Sequence, residues 1–163
     1  MWAHPFLCTA EAGAGGGTYA AQVATLQFSV EVPFGCPARA AYEYLRDPAN
    51  RPQWQASLRR VAHVQGRGEV GSSWTDLTWP GVNPRMTVTA DEPGLRWVEH
   101  GEWRGVRADL ELRFADLEGG CVVGADVALT LPRVLGVAAG ALRPVMRWGV
   151  RADLRTAARR CAG

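Results

Sequence analysis

From Leu26 onward the chain alternates apolar and polar positions. In LQFSVEVP, Leu26, Phe28, Val30 and Val32 fall on one side and Gln27, Ser29 and Glu31 on the other. A period of two predicts a half-buried strand. At Pro37 the period changes. Ala38, Ala41, Tyr42 and Leu45 recur at i, i+3, i+4, i+7, the stripe of an amphipathic helix with a proline suited to its first turn. Pro48 ends that helix, because the residue before a proline avoids the α region. RPQWQASL then allows one more turn or two, with Pro52 near its start and Trp54 inside it.

Six strand-like runs come next, each closed by turn residues: LRRVAHVQ, VGSSWTDLTW, RMTVTA, LRWVEHGEW, VRADLELRFADL and CVVGADVALTL. Regular spacing with tight turns predicts an antiparallel meander. Two runs alternate without a break. Val106, Ala108, Leu110, Leu112 and Phe114 oppose Arg107, Asp109, Glu111 and Arg113. Cys121, Val123, Ala125, Val127, Leu129 and Leu131 form the other continuous apolar face. The chain closes on VLGVAAGALRPVMRWGVRADLRTAARRC. There Leu135, Ala138, Leu142, Val145, Met146, Gly149 and Leu154 keep roughly helical period, with Pro144 expected to kink the helix or mark the start of its regular part.

Composition changes this picture only in places. At 163 residues the chain holds one core. Residues 1–24, with AGAGGG among them, read as a disordered tail or a start codon assigned too far upstream, leaving a single domain over 25–163. There is no lysine and no isoleucine, so all 18 basic residues are arginine, as expected of a GC-rich bacterial genome. A net charge of +2 excludes an electrostatic case for nucleic acid. The distribution is uneven: residues 133–163 hold seven arginines and one aspartate, so that piece carries +6 and the rest −4. Cys8, Cys36, Cys121 and Cys161 are scattered, which excludes the familiar zinc spacings, argues against a disulfide framework and leaves room for a single bridge. The expected setting is the cytoplasm, and neither metal nor cofactor is expected.

FSVEVP leading into PARAAYEYLRDPANRPQW, then VGSSW, GCVV and the long last helix, resembles the polyketide cyclase and lipid-transfer (START-like) superfamily over about residues 26–160. The resemblance implies an α+β helix-grip fold, in which a curved seven-stranded antiparallel sheet wraps the C-terminal helix and two short helices follow the first strand. It further implies a cavity between sheet and helix that holds a small hydrophobic molecule, a lipid or something polyketide-like. Some members of the superfamily cyclise polyketides, and others only carry or sense ligands. Cys36 departs from the Ser, Thr or Asp expected as an N-cap.

Within that frame Trp54 would plug one end of the pocket, and Trp74, Trp79, Trp97 and Trp103 would line it, unless they simply fill a core. Tyr42, Leu142, Met146 and Gly149 would complete the lining. Strand parity puts Glu99 with Trp97 and Asp76 with Trp74. An inward carboxylate is costly unless paired, and would be a candidate general base with a raised pKa. A bulge would instead turn both to solvent, and that is the preferred reading. His100 lies among outward residues as a surface histidine. If there is catalysis, the cast is Tyr42, Arg85 or Arg107, and Glu99. Arg143, Arg147, Arg151, Arg155 and Arg159, at i, i+4 spacing, read as a solvated face. The alternative is docking to an acidic partner, either an acyl carrier protein or an anionic membrane surface.

Overall fold

The computed structural model describes residues 23–79 and 81–162, apart from the side chains of 133–140. Of the tail expected over residues 1–24, residues 1–22 lie outside the described residues, and Val23 and Ala24 instead begin the first strand. Strand β1 (Val23–Phe34) leads into α1 (Ala38–Arg46), a 3-10 turn (Pro48–Asn50) and the single-turn α2 (Arg51–Trp54). Six strands follow: β2 (Leu58–Gln65), β3 (Ser73–Thr78), β4 (Arg85–Glu92), β5 (Arg96–Trp103), β6 (Val106–Leu117) and β7 (Gly120–Pro132). The chain ends in α3 (Arg133–Cys161), which continues through Pro144 as one helix. The seven strands form one antiparallel sheet in the order β1-β7-β6-β5-β4-β3-β2. The long crossover is thus the return of β7 to β1, and α3 lies chiefly along β1.

Alternation decides which face is core. Leu26, Phe28, Val30, Val32 and Phe34 of β1 are all buried, as are Ala38, Ala41, Tyr42 and Leu45 of α1. From α3, Leu154 and Ala157 enter the same core. The start of α1 is capped from a distance: Pro37 has no side chain to offer, and the Ala38 N–H donates instead to Asp116 Oδ1 at 2.7 Å, across the β6–β7 turn. Cys36 takes no part in capping. Its sulfur is bonded to that of Cys161, with the Cα atoms 6.2 Å apart. The bridge ties the last turn of α3 to the β1–α1 corner and closes a loop of 125 residues. In the chain-entropy picture such a loop stabilises by up to about 5 kcal/mol.

At the α1–α2 break, Asp47 accepts the Ala49 N–H at 2.9 Å, Pro48 starts the 3-10 turn, and α2 begins on Arg51. Arg51 and Trp54 stand three residues apart and so share a face of their one turn. Both are buried, at 2% and 7% exposure. The break points an arginine and a tryptophan into the sheet together.

Candidate functional site

Arg51 meets two carboxylates in the interior. Its Nη1 donates to Glu99 Oε2 at 2.9 Å, and its Nη2 donates to Glu99 Oε1 at 3.1 Å and to Asp76 Oδ2 at 3.0 Å. The second Asp76 oxygen accepts from Trp74 Nε1 at 2.9 Å. The guanidinium carbon sits 5.7 Å from the Trp54 ring and 5.2 Å from the Trp74 ring, cation–π distances in both cases. Arg51, Asp76 and Glu99 are each 2% exposed. The strand parity of Asp76 and Glu99 therefore holds, and the preferred expectation that a bulge would leave them solvated is overturned. An arginine supplied from α2 makes their burial tolerable.

Two carboxylates against one guanidinium leave a negative excess in a dry place. Burial pushes the Glu99 carboxyl above the usual carboxylate range, Arg51 opposes that push, and the Asp76 charge adds to it. Burial also works against the charge on Arg51, but Glu99 and Asp76 outweigh it and hold the guanidinium protonated. Arg51 Nε and Trp54 Nε1 are buried without a hydrogen-bond partner among the described residues. Both are sealed off, so they belong to the cost of the cluster and not to any binding surface.

The register shows where the cluster stands. Glu99 pairs with Leu110, Leu110 with Val127, and Val127 with Phe28. On the side of that rung toward α1, Trp97, Leu112, Ala125 and Val30 form a sealed layer, with Phe114, Val123 and Val32 behind it. From that rung outward the inner face opens over β5–β7, while Leu26 and Phe28 of β1 and Leu131 near the end of β7 stay buried. Leu110, Val127, Ala108, Leu129, Val106 and Trp103 point the same way and are only half-buried. The half-buried apolar side chains of β5–β7 form an open trough, and the Arg51–Asp76–Glu99 cluster lies buried at its closed end. Gly101 notches its wall: a Cβ there would lie 2.8 Å from Met86 Sδ, so the Met86 side chain lies across the glycine.

The tryptophans divide accordingly. Trp74 and Trp97 stack at 6.3 Å between centroids with planes 5° apart, both 1% exposed, and Trp97 Nε1 donates to Gly68 O at 3.0 Å. They and Trp54 fill core. Trp103 stands at the open end of the trough. Trp79 does not line the interior: it lies past the end of β3, 67% exposed, with the Arg59 guanidinium 4.7 Å over its ring.

Of the helix residues expected in the lining, Met146 packs half-buried on the core, Leu142 is 45% exposed, and a Cβ on Gly149 would enter open space. Tyr42 packs edge-on to Phe114, and its hydroxyl donates to Asp91. Burial, helped by that bond, pushes the hydroxyl above its ordinary pKa. Arg85 and Arg107 face solvent, Arg107 bonding Glu102 at 3.1 Å, so neither can serve a reaction inside the trough. His100 lies on the outer face, bonded to Asp109 at 2.6 Å. Among the described residues no group of His, Cys, Asp or Glu is arranged to hold a metal.

A seven-stranded antiparallel sheet, two short helices after its first strand and one long C-terminal helix packed on it define the helix-grip class. Within that class the chain belongs to the polyketide cyclase / dehydrase and lipid transport family, whose model matches residues 25–163. No curated protein sequence matches it. Solved structures with the same fold include the following three. The di-domain ARO/CYC StfQ from the steffimycin biosynthetic pathway is 19% identical with a TM-score of 0.66, over 82% of this chain and 49% of StfQ. Protein CV1439 from Chromobacterium violaceum is 14% identical with a TM-score of 0.62, over 84% of this chain and 97% of the other. Ara h 8.0201 is 10% identical with a TM-score of 0.62, over 84% and 97%. At these identities the likeness is one of fold.

Proposed function

We propose that the trough takes a small hydrophobic molecule, a lipid or a polyketide-like compound, along the inner face of β5–β7. The observation that carries this reading is the change in burial at the Glu99 rung. A protein that needed only a core would seal the Leu110, Val127 and Leu129 side as it seals the layer next to it. Half-exposed apolar side chains in a concave wall are what a ligand site offers, and family membership supports the same function. Met86 lying over Gly101 is an unbranched side chain that can move aside to fit a guest. The test fills the trough. Ala108→Trp should weaken the uptake of lipids and polycyclic phenols, followed by native mass spectrometry, by about tenfold or more with the fold retained. Undiminished uptake by a folded Ala108→Trp protein would refute the trough as the site.

A second reading, cyclisation, is favoured by one feature: the raised carboxyl of Glu99 at the closed end of the trough. Such a group can take the α-proton from a CH2 between two carbonyls once Arg51, which holds both of its oxygens, has moved aside to expose it. The likeness to an ARO/CYC structure supports the same chemistry. Under this reading Glu99→Gln keeps binding and loses turnover, whereas a pure binding protein is indifferent to it.

A further inference from the structure

The open end of the trough carries exposed apolar and basic side chains. The register places there the β3–β4 loop, beyond the Thr75–Arg85 pair, and the β5–β6 turn, beyond the Trp103–Val106 pair. The β7–α3 junction stands beside the Val23–Pro132 pair at the same end. From the β3–β4 loop Trp79 and Val82 project, 67% and 41% exposed. Halfway along α3, level with the middle of β1 where Arg147 Nε donates to the Ser29 carbonyl at 3.3 Å, Leu142, Val145 and Trp148 are exposed at 45%, 63% and 72%. Trp103 and Trp79 each carry an arginine over the ring: Arg104 at 5.1 Å and Arg59 at 4.7 Å.

The solvent face of α3 follows one line. Ala141, Val145, Trp148, Arg151, Arg155 and Arg159 succeed one another at steps of three or four residues and are all exposed. The line is apolar in its first half and cationic in its second. Residues 77–87, 101–108 and 141–151 together hold six arginines and a single acidic residue, Glu102, which Arg107 neutralises. Among the described residues, Arg143, Arg151, Arg155 and Arg159 form no ion pair.

We propose that this rim and the exposed line along α3 dock together on an anionic lipid bilayer. Trp79, Val145 and Trp148 would seat at the headgroup level, and the arginines would meet lipid phosphates. Tryptophan with its apolar body and polar N–H prefers that interfacial layer, and arginines beside exposed apolar side chains are what a peripheral surface helix presents to it. Charge complementarity selects an anionic leaflet over a neutral one. The apolar positions come from separate elements and share no groove, which suits a fluid surface better than the matched relief of a protein partner. The inference rests on the rim and the α3 line alone, so it stands or falls independently of what the trough holds.

The test is co-sedimentation of the full chain, without added ligand, with phosphatidylcholine vesicles and with vesicles that also contain phosphatidylglycerol. Binding should be at least about tenfold stronger to the anionic vesicles and should fall with added salt. Arg143→Glu with Arg151→Glu should remove most of that preference. Trp79→Ala with Trp148→Ala should weaken binding while leaving its salt dependence. Both double variants change exposed side chains, and far-UV circular dichroism checks their fold. Equal binding to neutral and anionic vesicles, or charge-reversed protein that binds as before, would overturn the proposal. So would a stable dimer that shields Trp148 from aqueous quenchers, or retention on an acidic carrier protein without retention on vesicles. Loss of ligand uptake with vesicle binding intact would sink the trough reading and leave the docking one.

Discussion

Arg51 decides whether the interior is tolerable. Removing it leaves two carboxylates in a dry site, so Arg51→Met should cost about 3–5 kcal/mol, read from denaturant midpoints. Glu99→Gln removes the excess charge and leaves the Arg51–Asp76 bond at 3.0 Å, so it should be close to neutral or stabilising. Equal losses in the two variants would mean that the cluster is held by shape and not by charge. His100 offers a milder case on the outer face. Its hydrogen bond to Asp109, and then that to Glu102, raise its pKa against opposing desolvation. The folded state therefore binds the proton more tightly. The stabilisation is complete below the unfolded value of about 6.5 and is lost as pH rises through the folded one. For a side chain 28% exposed this amounts to less than about 1 kcal/mol. His100→Gln should flatten the stability profile between about pH 6 and 8, and an unchanged profile would show that the Asp109 bond does not discriminate between protonation states. At this scale parity alone points Asp76 and Glu99 inward, and the expectation of a bulge that set it aside is the one that fails. What parity lacked was their partner, since no periodicity marks Arg51. The usable sign was an arginine three residues before a tryptophan in a segment too short to do anything but plug.

Among the elements, α1 and the strands were legible because each has one wet and one dry face. The helical stripe Ala38, Ala41, Tyr42 and Leu45 is the set that the structure buries. Trp79 was misplaced for a related reason: it lies one residue past the end of β3, where alternation no longer says which way a side chain points. Cys36 looked like a poor cap because its role lies 125 residues away, at Cys161. Local sequence cannot show a partner at that distance. Cys161→Ser should lower stability by about 2–4 kcal/mol in oxidised protein and by much less in reduced protein. Identical melting of the two proteins under oxidising conditions would mean that the bridge contributes nothing.

For the whole molecule, element order alone brought the fold within reach, and the sheet order β1-β7-β6-β5-β4-β3-β2 is the one a meander closed by a returning strand must have. The trough was not legible in the same way. Leu110, Val127 and Leu129 read as core, like Leu112 and Val123, because alternation reports the face of a strand and is silent on how far along it the cover extends. That uneven cover meets the Cys36–Cys161 bridge at the far end. One terminus of α3 is covalently held beside the sealed layer, while Leu142, Val145 and Trp148 stand exposed halfway along the helix. Exchange of amide hydrogens with solvent should therefore be graded along a single helix, slowest around Leu154–Cys161 and fastest before Met146. Reduction of the bridge should erase much of that gradient from the slow end. While the bridge is intact α3 is a reed clamped at one end, and its other end is the one placed to lift.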